Sequence, residues 1–265
     1  MNKNISAVAF SILALSASTV NAGEYNSFLS TSYANVEGPG SIDFTTYSFF
    51  ATHYFSARTT TGPYAEFDYM VNEAFLSGGY THPEHGAAFK LVSGETFIGD
   101  IIVGGNYIDV HGTGNDFKSF LLGYRINNNL HVKARLLDTD DNNVELSVNY
   151  KHELDQGSYL GVTASTVTDT DAYSFNSKYF TQLSNETYLA VNAGVNIYDG
   201  MDNTWVSGVD YYFNQNVSVG GMVGSDSLVG VKANYYVNPN LSLSAGYSEN
   251  DIEIKQWQVN LGYQF

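Results

Sequence analysis

Apolar and polar residues alternate with a period of two along most of this chain, most cleanly over residues 257–265, WQVNLGYQF. Trp257, Val259, Leu261, Tyr263 and Phe265 share one face, and Gln258, Asn260, Gly262 and Gln264 share the other. In a soluble sandwich a strand at a chain end would be expected to fray or to carry a polar tail. A strand with aromatic and aliphatic residues on one side and amides on the other fits a transmembrane β-barrel, where lipid meets one face and water the other.

The same pattern recurs upstream, punctuated by asparagine, glycine and proline clusters of the kind that build hairpin turns. Aromatic residues precede turns centred near residues 128, 156, 185, 215 and 239, as in Tyr179-Phe180, Tyr211-Tyr212 and Tyr235-Tyr236. Two further turns of this set are read at residues 58–62 and at Ser93-Gly94-Glu95. The opposite connections are acidic: residues 37–40, 81–86, 111–116, 138–143, 169–171, 199–202, 224–227 and 249–251 each hold a carboxylate. Together these predict an all-β, antiparallel transmembrane barrel of sixteen strands with short outer loops, its first strand beginning near Glu24 and pairing with the last. If the turn at residues 93–95 is absent, the count falls to fourteen. An even count puts both chain ends in the periplasm, leaving the acidic connections outside.

Alternation also assigns faces. Val219, Val231, Leu243 and their partners face lipid, while Ser218, Lys232, Asn234 and Ser242 face inward. The same rule sends Arg125, Lys133, Arg135, Glu145, Lys151, Lys178, Asp210 and Lys232 to the lumen, and Glu66, Asp68 and Asp100 join them on earlier strands. Arg125, Lys133, Arg135 and Lys151 would form a basic ladder down one wall, beside an acidic strip of Glu66, Asp68 and Asp100. A charge facing lipid at mid-bilayer costs a few kcal/mol, which supports this register.

Composition refines the picture. One early lysine, an apolar run from Ile5 to Leu15 and small residues up to Ala22 make a secretory signal peptide, leaving residues 23–265 as a single barrel domain. No later stretch is long and apolar enough for a membrane helix. With no cysteine, an exported fold must hold by hydrogen bonding and packing. The 21 tyrosines suit the aromatic girdles of membrane barrels. A net charge of −16 makes nucleic acid a poor partner.

Catalytic chemistry finds little support. No serine sits in a Gly-x-Ser-x-Gly elbow, and His82-Pro83-Glu84-His85 is interrupted by a proline that forbids a metal-binding helix. Asp109 with His111 is the nearest approach to a hydrolytic pair, and a lipase would need a serine and a histidine facing lipid. Asp138-x-Asp140-x-Asn142 matches the first half of a calcium loop but lacks the glycine and the final glutamate. No enzyme activity, metal or cofactor is expected.

The signal peptide, the hairpins with aromatic ends and the terminal Phe265 together resemble the general porins of the Gram-negative outer membrane, over residues 23–265. That resemblance implies a water-filled channel for passive diffusion of small hydrophilic solutes and ions. It also implies contact with outer-membrane lipid and lipopolysaccharide, and a homotrimer. In such barrels the terminal aromatic strand is read by the barrel-assembly machinery, which assigns that role to Trp257, Tyr263 and Phe265. Family porins narrow their lumen with a long inward loop, whereas no outer connection here looks long enough. A wide pore, or one filled by wall side chains, is expected instead. An acidic rim from Glu37 to Glu253, with Lys118 and Lys255 its main cations, predicts weak cation preference at low salt.

Overall fold

The computed structural model describes residues 24–40, 42–111, 115–138, 143–168 and 170–265, so the signal peptide assigned to residues 1–22 lies outside the described part. The first half holds β1 (Glu24–Gly38), β2 (Ile42–Thr59), β3 (Phe75–Pro83), β4 (Phe89–Ile98), β5 (Ile101–Val110), β6 (Asn115–Asn127), β7 (Leu130–Leu137) and β8 (Val144–Glu153). After a 3-10 turn at Asp155–Gly157 come β9 (Tyr159–Val167), β10 (Ala172–Gln182), β11 (Tyr188–Tyr198), β12 (Thr204–Tyr212), β13 (Val217–Gly224), β14 (Val229–Asn238), β15 (Leu241–Glu249) and β16 (Lys255–Gln264). Each strand pairs antiparallel with its sequence neighbours, and β16 pairs with β1 from Phe28 opposite Gln264 to Glu37 opposite Lys255. The sheet therefore has no free edge. Closure gives every strand a hydrogen-bonded neighbour on both sides, the condition for strands to cross hydrocarbon.

Sixteen is the number of strands read from the sequence, yet two of the inferred turns are misplaced. Ser93-Gly94-Glu95 lies inside β4, where Gly94 stands opposite Gly105 of β5. The reversal occurs at Gly99-Asp100, with Ile98 facing Ile101 and Gly99 at φ 62°, a left-handed conformation that glycine adopts without strain. Residues 58–62 are no tight turn either. β2 runs to Thr59, and residues 60–74 then make a long excursion before β3 begins at Phe75.

Outward positions carry the exposed apolar residues, among them Leu122, Tyr124, Val148, Phe175, Val219, Val231, Leu243 and Leu261. Their strand neighbours Ser218, Asn234 and Ser242 are buried inside, as alternation requires. Outward charges stand at the strand ends remote from Glu24 and Phe265, which we call the distal mouth. There Lys90 pairs with Asp109 at 3.1 Å and Lys118 lies 3.9 Å from Asp116. The opposite, terminal mouth is ringed by the paired aromatics. Tyr179, Tyr211 and Tyr235 face outward, whereas Phe180, Tyr212 and Tyr236 turn inward and are buried. An inward aromatic ring in a water-filled tube needs an apolar partner, and residues 60–74 supply it.

Candidate functional site

Residues 60–74 fold into the lumen near the terminal mouth and cross it. Their path is shaped locally: Glu66 N–H donates to Pro63 O at 3.0 Å, Thr61 N–H to Glu66 O at 2.8 Å, and Met70 N–H to the Asp68 Oδ1 at 2.9 Å. Contacts reach most of the wall. Tyr64 packs edge-on against Tyr236 of β14, and its N–H donates to Gln215 O in the β12–β13 turn. Phe67 meets Phe28 of β1 edge-on. Tyr69 lies across Gly161 of β9 and hydrogen-bonds the Thr163 hydroxyl at 2.8 Å. A Cβ at Gly161 would come within 2.4 Å of that ring, so the glycine makes the trough in which the tyrosine rests. Asn72 donates to Asn128 O at 3.1 Å and shares a hydrogen bond with the ring of His131.

The excursion carries three carboxylates and no base, and each acid meets a cation of the wall. Glu66, 3% exposed, receives the Lys178 ammonium of β10 at 2.5 Å and the Tyr212 hydroxyl of β12 at 2.5 Å. Asp68 is 2.7 Å from Lys151 of β8, which also holds Glu153 at 3.1 Å. Glu73 sits 3.6 Å from Arg58, whose guanidinium stacks over Tyr54 and Phe67. Removing one partner of so enclosed a pair leaves the other charge without compensation, so Glu66 ties the segment most firmly.

The remaining lumen charges are paired on the wall itself. Lys133 reaches Glu95 at 2.6 Å, Arg135 reaches Glu145 at 3.3 Å, and Lys232 reaches Asp210 at 2.9 Å. The last pair spans β13 over Gly220, where a Cβ would collide with the Asp210 carboxylate. Arg125 lies near the terminal mouth and holds Asp100 at 3.3 Å while covering the Phe97 ring.

Across these strands the chain matches, over residues 1–265, the family described as "Putative general bacterial porin". The chain belongs to this family. Among curated proteins no sequence matches significantly. Of the solved structures, the Acinetobacter baumannii outer membrane protein Omp33 is similar at a TM-score of 0.61 and 15% identity, covering 92% of this chain and all of that one. A triple mutant of Rhodopseudomonas blastica porin aligns at 0.55 and 10%, over 91% of this chain and 99% of its own. Identities this low carry the fold alone.

For this porin the sequence located most inward residues, but not their company. Lys133, Arg135, Glu145, Lys151, Lys178, Asp210 and Lys232 all lie on the inner face of strands. Glu66 and Asp68 also lie inside, though on the crossing segment and not on a strand, because Gly62-Pro63 ends β2 before them. Asp100 belongs to the β4–β5 turn and is exposed, so the acidic strip does not form. Nor does a free basic ladder, since all four of its members are bonded to carboxylates. The expectation of a lumen without an inward-folded connection is likewise overturned by residues 60–74, which enter from the terminal side.

The other candidate chemistries come apart. Asp109 points outward and is engaged there by Lys90 at 3.1 Å. His82 stacks on Tyr80, and Glu84 accepts the Thr45 hydroxyl at 2.9 Å. Among the described residues no group of three metal-ligating side chains converges. Asp140 and Asn142 of the calcium-like sequence lie outside the described residues. Ser27 and His53 do meet on the outward face, Oγ to Nδ1 at 2.9 Å, but among the described residues no third group orients the imidazole. At the barrel seam, Phe265 O accepts the N–H groups of Asn26 and Ser27, and Trp257 packs on Tyr33.

Proposed function

We propose that this porin lets small hydrophilic solutes and ions diffuse passively across the Gram-negative outer membrane, with its narrowest section formed by residues 60–74. A closed sixteen-strand barrel is wide enough for an aqueous channel. The observation that supports the reading most is the lumen itself: its charges are present and mutually paired, so the wall wets without presenting one sign of charge. Two-thirds of the wall, from β9 round to β3, adds amides and hydroxyls such as Asn176, Asn192, Asn234, Asn260, Ser244 and Thr52. Lys133, Arg135, Glu145, Lys151, Lys178, Asp210 and Lys232 line the path, with Glu66 and Asp68 on the crossing segment; Arg125 and Asp100 stand at its exit.

The terminal mouth, in this reading, faces the periplasm, and the acidic connections face outward beside lipopolysaccharide. Residues 1–22 act as the signal peptide, and Trp257, Tyr263 and Phe265 present the strand that the assembly machinery reads. The chain is read as a homotrimer, and mass measurement in detergent tests this. Swelling of proteoliposomes in sugars of graded size tests the function: entry of a pentose with exclusion of larger oligosaccharides supports it. A second reading, a structural or adhesive barrel with a shut lumen, draws on the same crossing segment. Absence of swelling both in the native protein and after removal of residues 63–72 would favour that second reading.

A further inference from the structure

Behind the crossing segment the wall carries the parts of a binding site. Lys151 of β8, Gly161 of β9 and Lys178 of β10 stand directly opposite one another in one row of the inner face. At about 4.8 Å between strands, the two lysines flank the bare glycine floor with their Cα atoms about 10 Å apart, room for a single aromatic ring. Thr163 lies two residues along β9 on the same face, and its hydroxyl donates to the Asn149 Oδ1 at 2.9 Å. Tyr159, two residues the other way, stacks on Phe180 at 5.5 Å, and Phe180 on Tyr188 at 5.8 Å, so an aromatic shelf borders the floor. Tyr159 is only 4% exposed, and its hydroxyl has no hydrogen-bond partner among the described residues.

Residues of the segment fill this site and show what it accepts. Tyr69 lays its ring on the Gly161 floor, 6.2 Å from the Tyr159 ring. With the Thr163 hydrogen spent on Asn149, the Tyr69 hydroxyl donates to Thr163 at 2.8 Å. Asp68, its chain neighbour, puts a carboxylate 2.7 Å from Lys151, and Glu66 puts another on Lys178. A planar ring, a hydroxyl at its end and a carboxylate beside it are the recognition elements of a small aromatic acid, here supplied by the chain itself.

Charge agrees with that ligand. When the segment withdraws, Glu66 and Asp68 go with it; Lys151 keeps Glu153, and Lys178 keeps no carboxylate among the described residues. The bared row is positive and favours an anion. Solvent also reaches the right end of the segment. The Asp68 side chain is 43% exposed and Tyr69 is half-buried, whereas Glu66 is sealed in. A solute can therefore compete for Lys151 and the glycine floor while Glu66 still holds.

We propose that Gly161, Thr163, Tyr159, Lys151 and Lys178 form a binding site for small aromatic carboxylates, occupied here by Asp68 and Tyr69. The site rests on the pore reading and adds to it a class of permeant that competes with the crossing segment. Titration calorimetry on the protein in lipid nanodiscs tests it with para-hydroxybenzoate as probe. Para-hydroxybenzyl alcohol, which keeps ring and hydroxyl without the charge, and acetate, which keeps the charge alone, are the controls. Each control should bind about tenfold more weakly, the loss of roughly one charge-assisted or ring contact. Asp68→Asn with Tyr69→Ala removes the chain's own occupant and should bind the probe about tenfold more tightly than native protein. Gly161→Leu fills the floor and should abolish probe binding even though it frees Tyr69; heat-modifiability checks that the variants are folded. Equal binding of the probe and the alcohol, no gain in the Asp68→Asn, Tyr69→Ala protein, or undiminished binding in Gly161→Leu overturns the proposal. Potassium conductance is recorded on the same preparations, so absent probe binding with conductance intact sinks this inference alone. Probe binding by a protein that passes neither ions nor sugars, even without residues 63–72, supports the site and sinks the pore reading.

Discussion

Glu66→Gln is the sharpest perturbation of the crossing segment, because it keeps the side chain's size and removes only its charge. The native carboxylate accepts from Lys178 and Tyr212, both at 2.5 Å, with its own side chain 4% exposed. Breaking so buried a pair costs about 3–5 kcal/mol when the remaining charge has no access to water. Lys178 is a quarter exposed and recovers part of its hydration, so about 2 kcal/mol is a fair figure for the lost hold. At about 1.4 kcal/mol per factor of ten, that is about a thirtyfold shift toward segments released from the wall. Single-channel recording in planar bilayers should show more frequent or longer high-conductance states. Asp68→Asn provides an internal comparison: Asp68 is 43% exposed and Lys151 keeps Glu153, so its effect should stay under about 1 kcal/mol. A folded Glu66→Gln protein with native conductance and native current noise, or a larger effect from Asp68→Asn, would refute the reasoning.

Gly161→Leu should displace Tyr69 and raise conductance in the same direction, read in the same bilayers, because no side chain fits beneath that ring. Gly220→Ala should separate Lys232 from Asp210 and lower stability by about 1–3 kcal/mol, measured as an earlier heat-modifiability transition on gels. Phe265→Ser removes the outward ring beside Tyr263 at the barrel seam, and should reduce the amount of membrane-inserted protein at native expression; unchanged insertion would count against the assembly role. Reversal potentials in a potassium chloride gradient should show weak cation preference at 0.1 M, fading toward 1 M as the Debye length falls from about 10 Å to about 3 Å. Lys133→Gln with Arg135→Gln leaves Glu95 and Glu145 without their cations and should strengthen that preference, whereas anion preference in the native protein would show that the bases govern.

The sequence made the barrel legible because lipid and water enforce a period of two on every strand. Val219, Val231 and Leu243 could be placed outward, and Ser218, Asn234 and Ser242 inward, without knowing any contact. Glycine misled where it serves packing: Gly94 lies within β4 opposite Gly105, while the true turn at Gly99-Asp100 has only one glycine to announce it. Residues 60–74 were hidden for a related reason. Their tyrosines, phenylalanine and acids alternate well enough to pass for strand, and only Pro63 after Gly62 argues otherwise, since proline removes a ladder donor. A second signal was present in the doubled aromatics. Lipid explains one member of Tyr179-Phe180, Tyr211-Tyr212 and Tyr235-Tyr236, but the inward member requires something apolar within the lumen. Pairing of charges was not readable, because Glu66 and Lys178, or Glu95 and Lys133, meet only once the sheet has closed and the segment has folded in.

Residues 60–74, crossing the lumen, are proposed to set the conductance of an otherwise open pore. Replacing residues 63–72 by a short glycine-serine turn keeps β2 and β3 joined and removes Tyr64, Glu66, Phe67, Asp68 and Tyr69 together. Single-channel conductance of this variant, beside the native protein in the same lipid and salt, is the most direct measurement. A larger unitary step and faster flux of solutes that the native pore excludes are expected if the segment narrows the pore. An unchanged step from a folded barrel would contradict it.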